Sequence, residues 1–316
     1  MEKKKKHFLI TGGTGFIGSA LTRSLVDKGC KVTIFDNNSR GTLENVIKIK
    51  NKIKMIKGDI RNYNQVKKAF SNIDAVIHLA YVNGTKYFYS KPVLVLDIAV
   101  KGILNTMHAC ISNKIKELYL ASSSEVYQTP KKIPTDETES LKIPDIYNPR
   151  YSYGGGKILT ELMGIHYGKK YFKKLIIFRP HNVYGPSMGN EHVIPEFINK
   201  FKNLKNRKFR IQGTGKEIRS FIYIDDFISA FNLILKKGKH LNIYNIGTDE
   251  KIKIKDLAFK LSKIFNKKII LKKTPGREGS TITRIPNVSK IRRLGFRQKY
   301  KLVKGLEKTL TTKNYK

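Results

Sequence analysis

The sequence predicts an α/β fold, a Rossmann-type doubly wound parallel sheet with a smaller C-terminal α/β substrate-binding lobe. Three observations predict it. Short apolar runs alternate with segments of helical spacing through the first half of the chain. The glycine-rich string Gly12-Gly13-Thr14-Gly15-Phe16-Ile17-Gly18 follows the first run and opens the first helical segment. A carboxylate, Asp36, closes the next strand-like run.

Taken in order, His7–Thr11 reads as a strand and Ile17–Lys28 as a helix. Lys31–Phe35, Lys52–Ile56 and Ala75–Leu79 read as further strands, Val93–Ser112 as a helix and Glu117–Ala121 as a strand. Four prolines between Pro130 and Pro149 mark a loop. Tyr153–Tyr171 then reads as a helix in spite of its early glycines, and Leu175–Phe178 as a strand. From about Gly185 the pattern changes to short strands (Phe209–Ile211, Ile243–Ile246, Ile269–Lys272) mixed with helices near Val193–Lys205, Asp225–Lys236 and Ile254–Phe265. Residues 1–185 are therefore expected to form the dinucleotide-binding domain, with parts of later segments returning to it. Residues 186–316 are expected to form mainly the smaller lobe.

The 316 residues, 40% of them hydrophobic, suffice for a sizeable core. The basic run Lys3–Lys6 leads into an apolar stretch too short for a signal peptide, and no apolar run approaches the ~18 residues of a membrane span. Cys30 and Cys110 are isolated in sequence, as suits a reducing cytoplasm. The net charge of +39 comes mostly from lysines scattered along the chain, which points to compositional drift rather than to a specific nucleic-acid surface. A positive surface would still attract an anionic ligand.

The glycines allow close approach of a pyrophosphate to backbone, and the helix start offers free N–H groups. Gly12, Gly15, Phe16, Ile17 and Gly18 are thus candidate cofactor contacts. Asp36 can accept hydrogen bonds from both hydroxyls of an adenosine ribose and would repel a 2′-phosphate, which favours NAD over NADP. Arg40 nearby works against that preference. In Gly58-Asp59-Ile60 the carboxylate suits either the adenine amino group or a helix N-cap.

Tyr153 and Lys157 stand four apart, on one face of a helix. An ammonium beside a phenol favours the phenolate and is expected to lower the Tyr153 pKa toward neutrality. Such a phenolate can take a proton from a hydroxyl while hydride leaves for NAD. Ala121-Ser122-Ser123-Ser124-Glu125-Val126-Tyr127 ends a strand of the same sheet, where side chains enter the ligand crevice. His78, His181 and His192 have spacings that fit no zinc motif, so no metal is expected.

In this order and spacing, Gly12–Gly18, Asp36, Asp59, His78-Leu79-Ala80, the Ser123 run, Tyr153/Lys157, the segment Arg179–Pro186 and the stretch Gly213–Asp226 resemble the nucleotide-sugar epimerase/dehydratase family of extended short-chain dehydrogenases/reductases. The resemblance covers nearly the whole chain. It implies Tyr153 as acid/base, Lys157 as its support and a contact of the nicotinamide ribose, Ser123 as the second hydroxyl, and Leu79 and Ala80 beside the nicotinamide. It also implies Asn182, Arg219 and Arg277 on the substrate diphosphate, and a homodimer through the Val93–Ser112 and Tyr153–Tyr171 helices. Val193-Ile194-Pro195 and Phe209–Gln212 are expected near the nucleotide base.

Family chemistry begins with oxidation of the sugar at C4. Glu125, two residues after Ser123, occupies the position of the base in dehydratases and decarboxylases. Ser at position 123 and Ser at 124, where one dehydratase group carries Thr and Asp, favour the 4-epimerase. The expectation is therefore an NDP-hexose 4-epimerase, with an NDP-sugar 4,6-dehydratase or NDP-uronate decarboxylase as alternatives. Glu125 bonding backbone at the strand end is the plain structural alternative. Outside enzymes, the alternatives are an NAD-binding regulatory protein and a nucleic-acid-binding protein.

Overall fold

The structure is a computed structural model, and it describes residues 5–276 and 278–312. Seven parallel strands form the main sheet: β1 (His7–Thr11), β2 (Lys31–Asp36), β3 (Lys54–Lys57), β4 (Ala75–His78), β5 (Glu117–Ala121), β6 (Lys174–Pro180) and β11 (Asn242–Ile246). Their spatial order is β11-β6-β5-β4-β1-β2-β3. The chain winds outward from β1 in one direction and then from β4 in the other. The crevice between the C-terminal ends of β1 and β4 is the switch point where such sheets bind ligands.

These strands read as near-continuous apolar runs because both faces are covered. Leu9, Val76, Leu118 and Ile177 face one hydrophobic cluster, while Phe8, Ile10, Ile77, Tyr119 and Phe178 face the other. The helices of this part are α1 (Phe16–Asp27), α2 (Tyr63–Ala69), α3 (Thr85–Ser90), α4 (Pro92–Ser112) and α5 (Tyr151–Tyr171). Two of them, α2 and α3, were not evident in the sequence. Asn62 starts α2 by accepting a hydrogen bond from the Gln65 N–H at 3.1 Å, so the capping role considered for Asp59 falls to Asn62 instead.

The glycines in Tyr153-Gly154-Gly155-Gly156-Lys157 would weaken an isolated helix. Here they make room for what packs on α5. A Cβ at Gly154 would lie 2.6 Å from Gln128 Nε2, and one at Gly156 would overlap the Tyr81 hydroxyl and the Ala99 methyl.

Contrary to the sequence expectation, α4 is long and apolar enough, by length and composition, to cross a membrane. Its composition has two sources. Val95, Ala99, Ile103, Met107 and Cys110 are buried in the fold, while Val93, Leu96 and Val100 on another face are exposed.

After β6 the chain builds three small sheets. β7 (Val183–Tyr184) pairs with β10 (Ile222–Tyr223), and β8 (Lys208–Gln212) with β13 (Ile270–Thr274). β9 (Ile218–Ser220) lies between β12 (Lys251–Lys253) and β14 (Thr283–Arg284). Helices α6 (Val193–Lys202), α7 (Ile224–Lys237), α8 (Ile254–Ile264), α9 (Ser289–Arg293) and α10 (Leu302–Leu310) complete the described fold. Strand β11, from the second half of the chain, pairs with β6 and extends the main sheet.

Candidate active site

One cleft collects nearly all the residues singled out in the sequence. It is bordered by the glycine loop, Asp36, Asp59, Ile60, Leu79, Ala80, Ser123, Glu125, Tyr153, Lys157, Asn182 and Arg219.

At its base, Gly12 has φ +74°, a left-handed conformation that favours glycine, and a Cβ there would lie 2.9 Å from the Ala80 nitrogen. A Cβ at Gly18 would overlap the Gly12 carbonyl oxygen. Gly15 begins α1 without a side-chain cap. The first N–H groups of the helix therefore lack intrahelical acceptors and face the cleft, an arrangement that suits a pyrophosphate.

Asp36 Oδ2 accepts hydrogen bonds from the Thr14 N–H at 2.9 Å and the Thr14 hydroxyl at 2.7 Å. Its Oδ1 accepts from the Asn38 N–H at 2.8 Å. A carboxylate has about four acceptor positions, so the residue that shapes the glycine loop retains capacity for a ribose hydroxyl. Asp59 is held by Arg61, with Nη2 at 2.7 Å and Nε at 3.0 Å, and by Asn37. The hydrogen bond from Arg61 is the chief cause that holds its pKa down at about 2.

Arg40 is committed elsewhere. Its guanidinium donates to both Glu191 oxygens at 3.1 Å and to the Asn83 carbonyl at 2.9 Å, and it stacks over Tyr87. It is thus not offered to a 2′-phosphate, in keeping with NAD. We expect Glu191→Gln to free Arg40 and to improve binding of NADP relative to NAD by roughly tenfold, about 1.4 kcal/mol. Titration of the stripped protein with each dinucleotide checks this, and an unchanged ratio would show that Arg40 does not govern the choice.

At the chemical end, Tyr153 is buried on α5. Burial raises its pKa well above the ordinary tyrosine value; a hydrogen bond with Ser123 pulls the other way, and the Glu125 charge adds to the rise. Lys157 donates to the Ala121 carbonyl at 2.7 Å and sits 3.9 Å from the Tyr81 ring centre, against 5.8 Å from that of Tyr153. Desolvation takes its pKa down to about 7, partly opposed by Glu161. The lowered phenol pKa expected from the sequence is therefore not what the structure shows. The pair shares a helix face, but burial dominates at the phenol, and the ammonium lies nearer the Tyr81 ring than the Tyr153 ring.

Ser123 accepts a hydrogen bond from the Glu125 N–H at 3.1 Å. Among the described residues, Glu125 bonds no backbone through its carboxylate. It forms a two-pronged ion pair with Arg284 at 2.6 and 3.0 Å, and Arg150 lies 3.6 Å away. Burial would raise its pKa, but the charges of Arg284 and Arg150 overcome this and hold it at about 2.

Arg219 donates to the carbonyls of Ile218, Thr281 and Ile282. Desolvation, then the Arg284 charge, lowers its pKa to about 9, and its half-buried guanidinium borders the cleft, bonded to carbonyls rather than held in a surface ion pair. Asn182 has φ +40° and donates to the Ser220 carbonyl at 2.8 Å. Val193, Ile194 and Gln212 also border the cleft. Arg277 lies outside the described residues.

The sequence reading missed Arg150 and Arg284 as members of the site. It also gave no role to Arg179 or Glu161, which pair at 2.6 and 2.8 Å behind it. Glu161 bonds Ser122 as well, and Arg179 bonds the Tyr127 hydroxyl at 2.6 Å. The position of Glu161 one turn after Lys157 on α5 was a usable signal. For Arg284, far along the chain, there was none. His78 is a buried strand residue whose Nδ1 meets the Thr11 hydroxyl at 2.9 Å.

Residues 8–247 match the family model for the NAD-dependent epimerase/dehydratase family. A dTDP-D-glucose 4,6-dehydratase of Dictyostelium discoideum is 35% identical over 81% of this chain, and the match spans 61% of that protein, less than two thirds of its length. A UDP-N-acetyl-alpha-D-glucosaminuronate decarboxylase of Bacillus cytotoxicus is 32% identical over 80% of this chain and 78% of its own. Among solved structures, a UDP-glucose 4-epimerase of Thermotoga maritima with UDP-glucose superposes with a TM-score of 0.88, at 26% identity and 98% coverage of both chains. With the glycine cradle, the Asp36 carboxylate and the Tyr153/Lys157 pair in one cleft, the chain belongs to the NAD-dependent epimerase/dehydratase family of Rossmann-fold enzymes.

Proposed function

We propose that this protein is an NDP-hexose 4-epimerase that oxidises the sugar at C4 and returns hydride to its opposite face. The observation that carries the oxidation is the convergence of Ser123, Tyr153 and Lys157 beside the glycine cradle. When bound, NAD supplies the hydride acceptor. Tyr153 takes the proton of the C4 hydroxyl as C4 gives up its hydride, and Ser123 hydrogen-bonds the same oxygen. Lys157 stabilises the phenolate form of Tyr153, the form that can take this proton. In the return step Tyr153 gives the proton back. Asn182, Arg219 and Arg277 hold the diphosphate.

The state of Glu125 supports epimerisation over elimination. Paired with Arg284 and held at about 2, its carboxylate is a weak base for a C5 proton. One observation favours a second reading. Arg150, Arg219 and Arg284 all act on Glu125, with Glu217 beside Arg219, and this excess of positive charge suits an anionic C6 group and hence an NDP-uronate decarboxylase. The Bacillus relative carries that name.

We further propose a homodimer through α4 and α5, supported by the exposed apolar Val93, Leu96, Val100 and Leu162 on these helices. The free thiols Cys30 and Cys110 support a cytoplasmic location.

The test is incubation of the protein with NDP-hexoses and NDP-hexuronates in deuterium oxide, read by NMR. Inversion at C4 with no deuterium at C5 is expected. A 4-keto-6-deoxy product would establish the dehydratase, and release of carbon dioxide from a uronate would establish the decarboxylase.

A further inference from the structure

The Lys157 ammonium is buried. From α5 it feels Glu161, already committed to Arg179 and Ser122, and it faces the phenol of Tyr153. From β5 it receives the Ala121 carbonyl. From β4 comes His78, whose imidazole burial keeps neutral at ordinary pH, its pKa lowered to about 3. The remaining neighbour is Tyr81, whose ring centre lies 3.9 Å from Nζ. The same ring meets Tyr153 at right angles, with centroids 5.1 Å apart, while Phe88 stacks on Tyr153 at 4.7 Å.

The Tyr81 hydroxyl is buried, with no hydrogen-bond partner among the described residues. It points at α5 through the gap left by Gly156. The structure therefore accommodates an unpaired hydroxyl, at some cost, in order to keep an aromatic ring in this position.

We propose that Tyr81 is a positioning residue for the catalytic pair: its ring face seats the Lys157 ammonium, and its right-angled contact sets the Tyr153 ring. The inference rests on the reading of Tyr153 and Lys157 as the catalytic pair. An ammonium over a ring face is attracted by the ring quadrupole, most strongly where water is excluded. It is the ring and not the hydroxyl that the site uses; Gly156 leaves room for the hydroxyl oxygen, while the nearest ring carbon would stand 3.5 Å from a Cβ there.

The experiment grades the ring electronically at nearly constant volume. The full-length, NAD-loaded protein is prepared with Tyr81→Phe and with 3,4,5-trifluorophenylalanine at position 81. Two quantities are read. One is the titration of Lys157, followed by NMR of its ε-carbon and assigned with Lys157→Arg. The other is the single-turnover rise of reduced cofactor at 340 nm on mixing with the nucleotide sugars.

Tyr81→Phe is expected to match the parent in both within about twofold. Against it, the trifluorinated ring should lower the Lys157 pKa by about one unit and slow cofactor reduction roughly tenfold. A purely structural ring would give the same titration and rate for both rings, and that result overturns the proposal. A shifted titration with an unchanged rate overturns it as well, since the seat would then not serve the chemistry. If the parent protein reduces no cofactor with any sugar nucleotide, the proposed reaction fails. The titration then decides the ring on its own: a shift keeps it as the seat of the ammonium, and no shift overturns it.

Discussion

Tyr153→Phe is expected to lower the rate of cofactor reduction by about a thousandfold, within the range assigned to a positioned acid/base group. The protein should still fold and retain NAD. The phenyl ring keeps its stack on Phe88 and its contact with Tyr81, so only the hydroxyl is lost. Ser123 alone provides no equivalent base, because a serine hydroxyl is far less acidic than a phenol. Stopped-flow absorbance at 340 nm measures the step directly. A variant that turns over within tenfold of the parent would show that the phenol is not the acid/base, and the weight would pass to another group in the cleft.

The second large effect is on stability. Glu161→Gln should cost about 3–5 kcal/mol, since it leaves Arg179 as an uncompensated buried cation. Both partners are almost fully buried, at 2% exposure for Arg179 and 3% for Glu161. The pair joins α5 to β6, and through Ser122 and Tyr127 it fixes the end of β5, where Ser123 emerges. Equilibrium unfolding in urea measures the cost. The doubly apolar Glu161→Leu/Arg179→Met should recover part of it, because it removes both desolvation penalties together. A loss under about 1 kcal/mol for Glu161→Gln would mean that water or a neighbouring acceptor compensates Arg179.

Elements with a strong period emerged from the sequence close to their true limits: β5 matches at both ends, and α4 and α8 differ by a single residue at one end. Such elements are fixed by local alternation and helical spacing. The helix α3, with the sequence Thr-Lys-Tyr-Phe-Tyr-Ser, was not evident because its support is tertiary: Phe88 packs against Tyr153 from the other half of the dinucleotide fold. The glycine loop and Asp36 were legible because a pyrophosphate and a ribose each demand a residue type at a fixed step from a strand.

By itself the sequence determined the alternating fold, the dinucleotide cradle and the Tyr153/Lys157 spacing. These are set by residues close together in the chain. Only the tertiary structure decided the electrostatic state of the site. It paired Glu125 with Arg284, turned Lys157 toward Tyr81, and committed Arg40 to Glu191. Each of these depends on burial and on partners brought in from distant segments. A pKa or an ion pair is a property of such surroundings, and no local spacing encodes it.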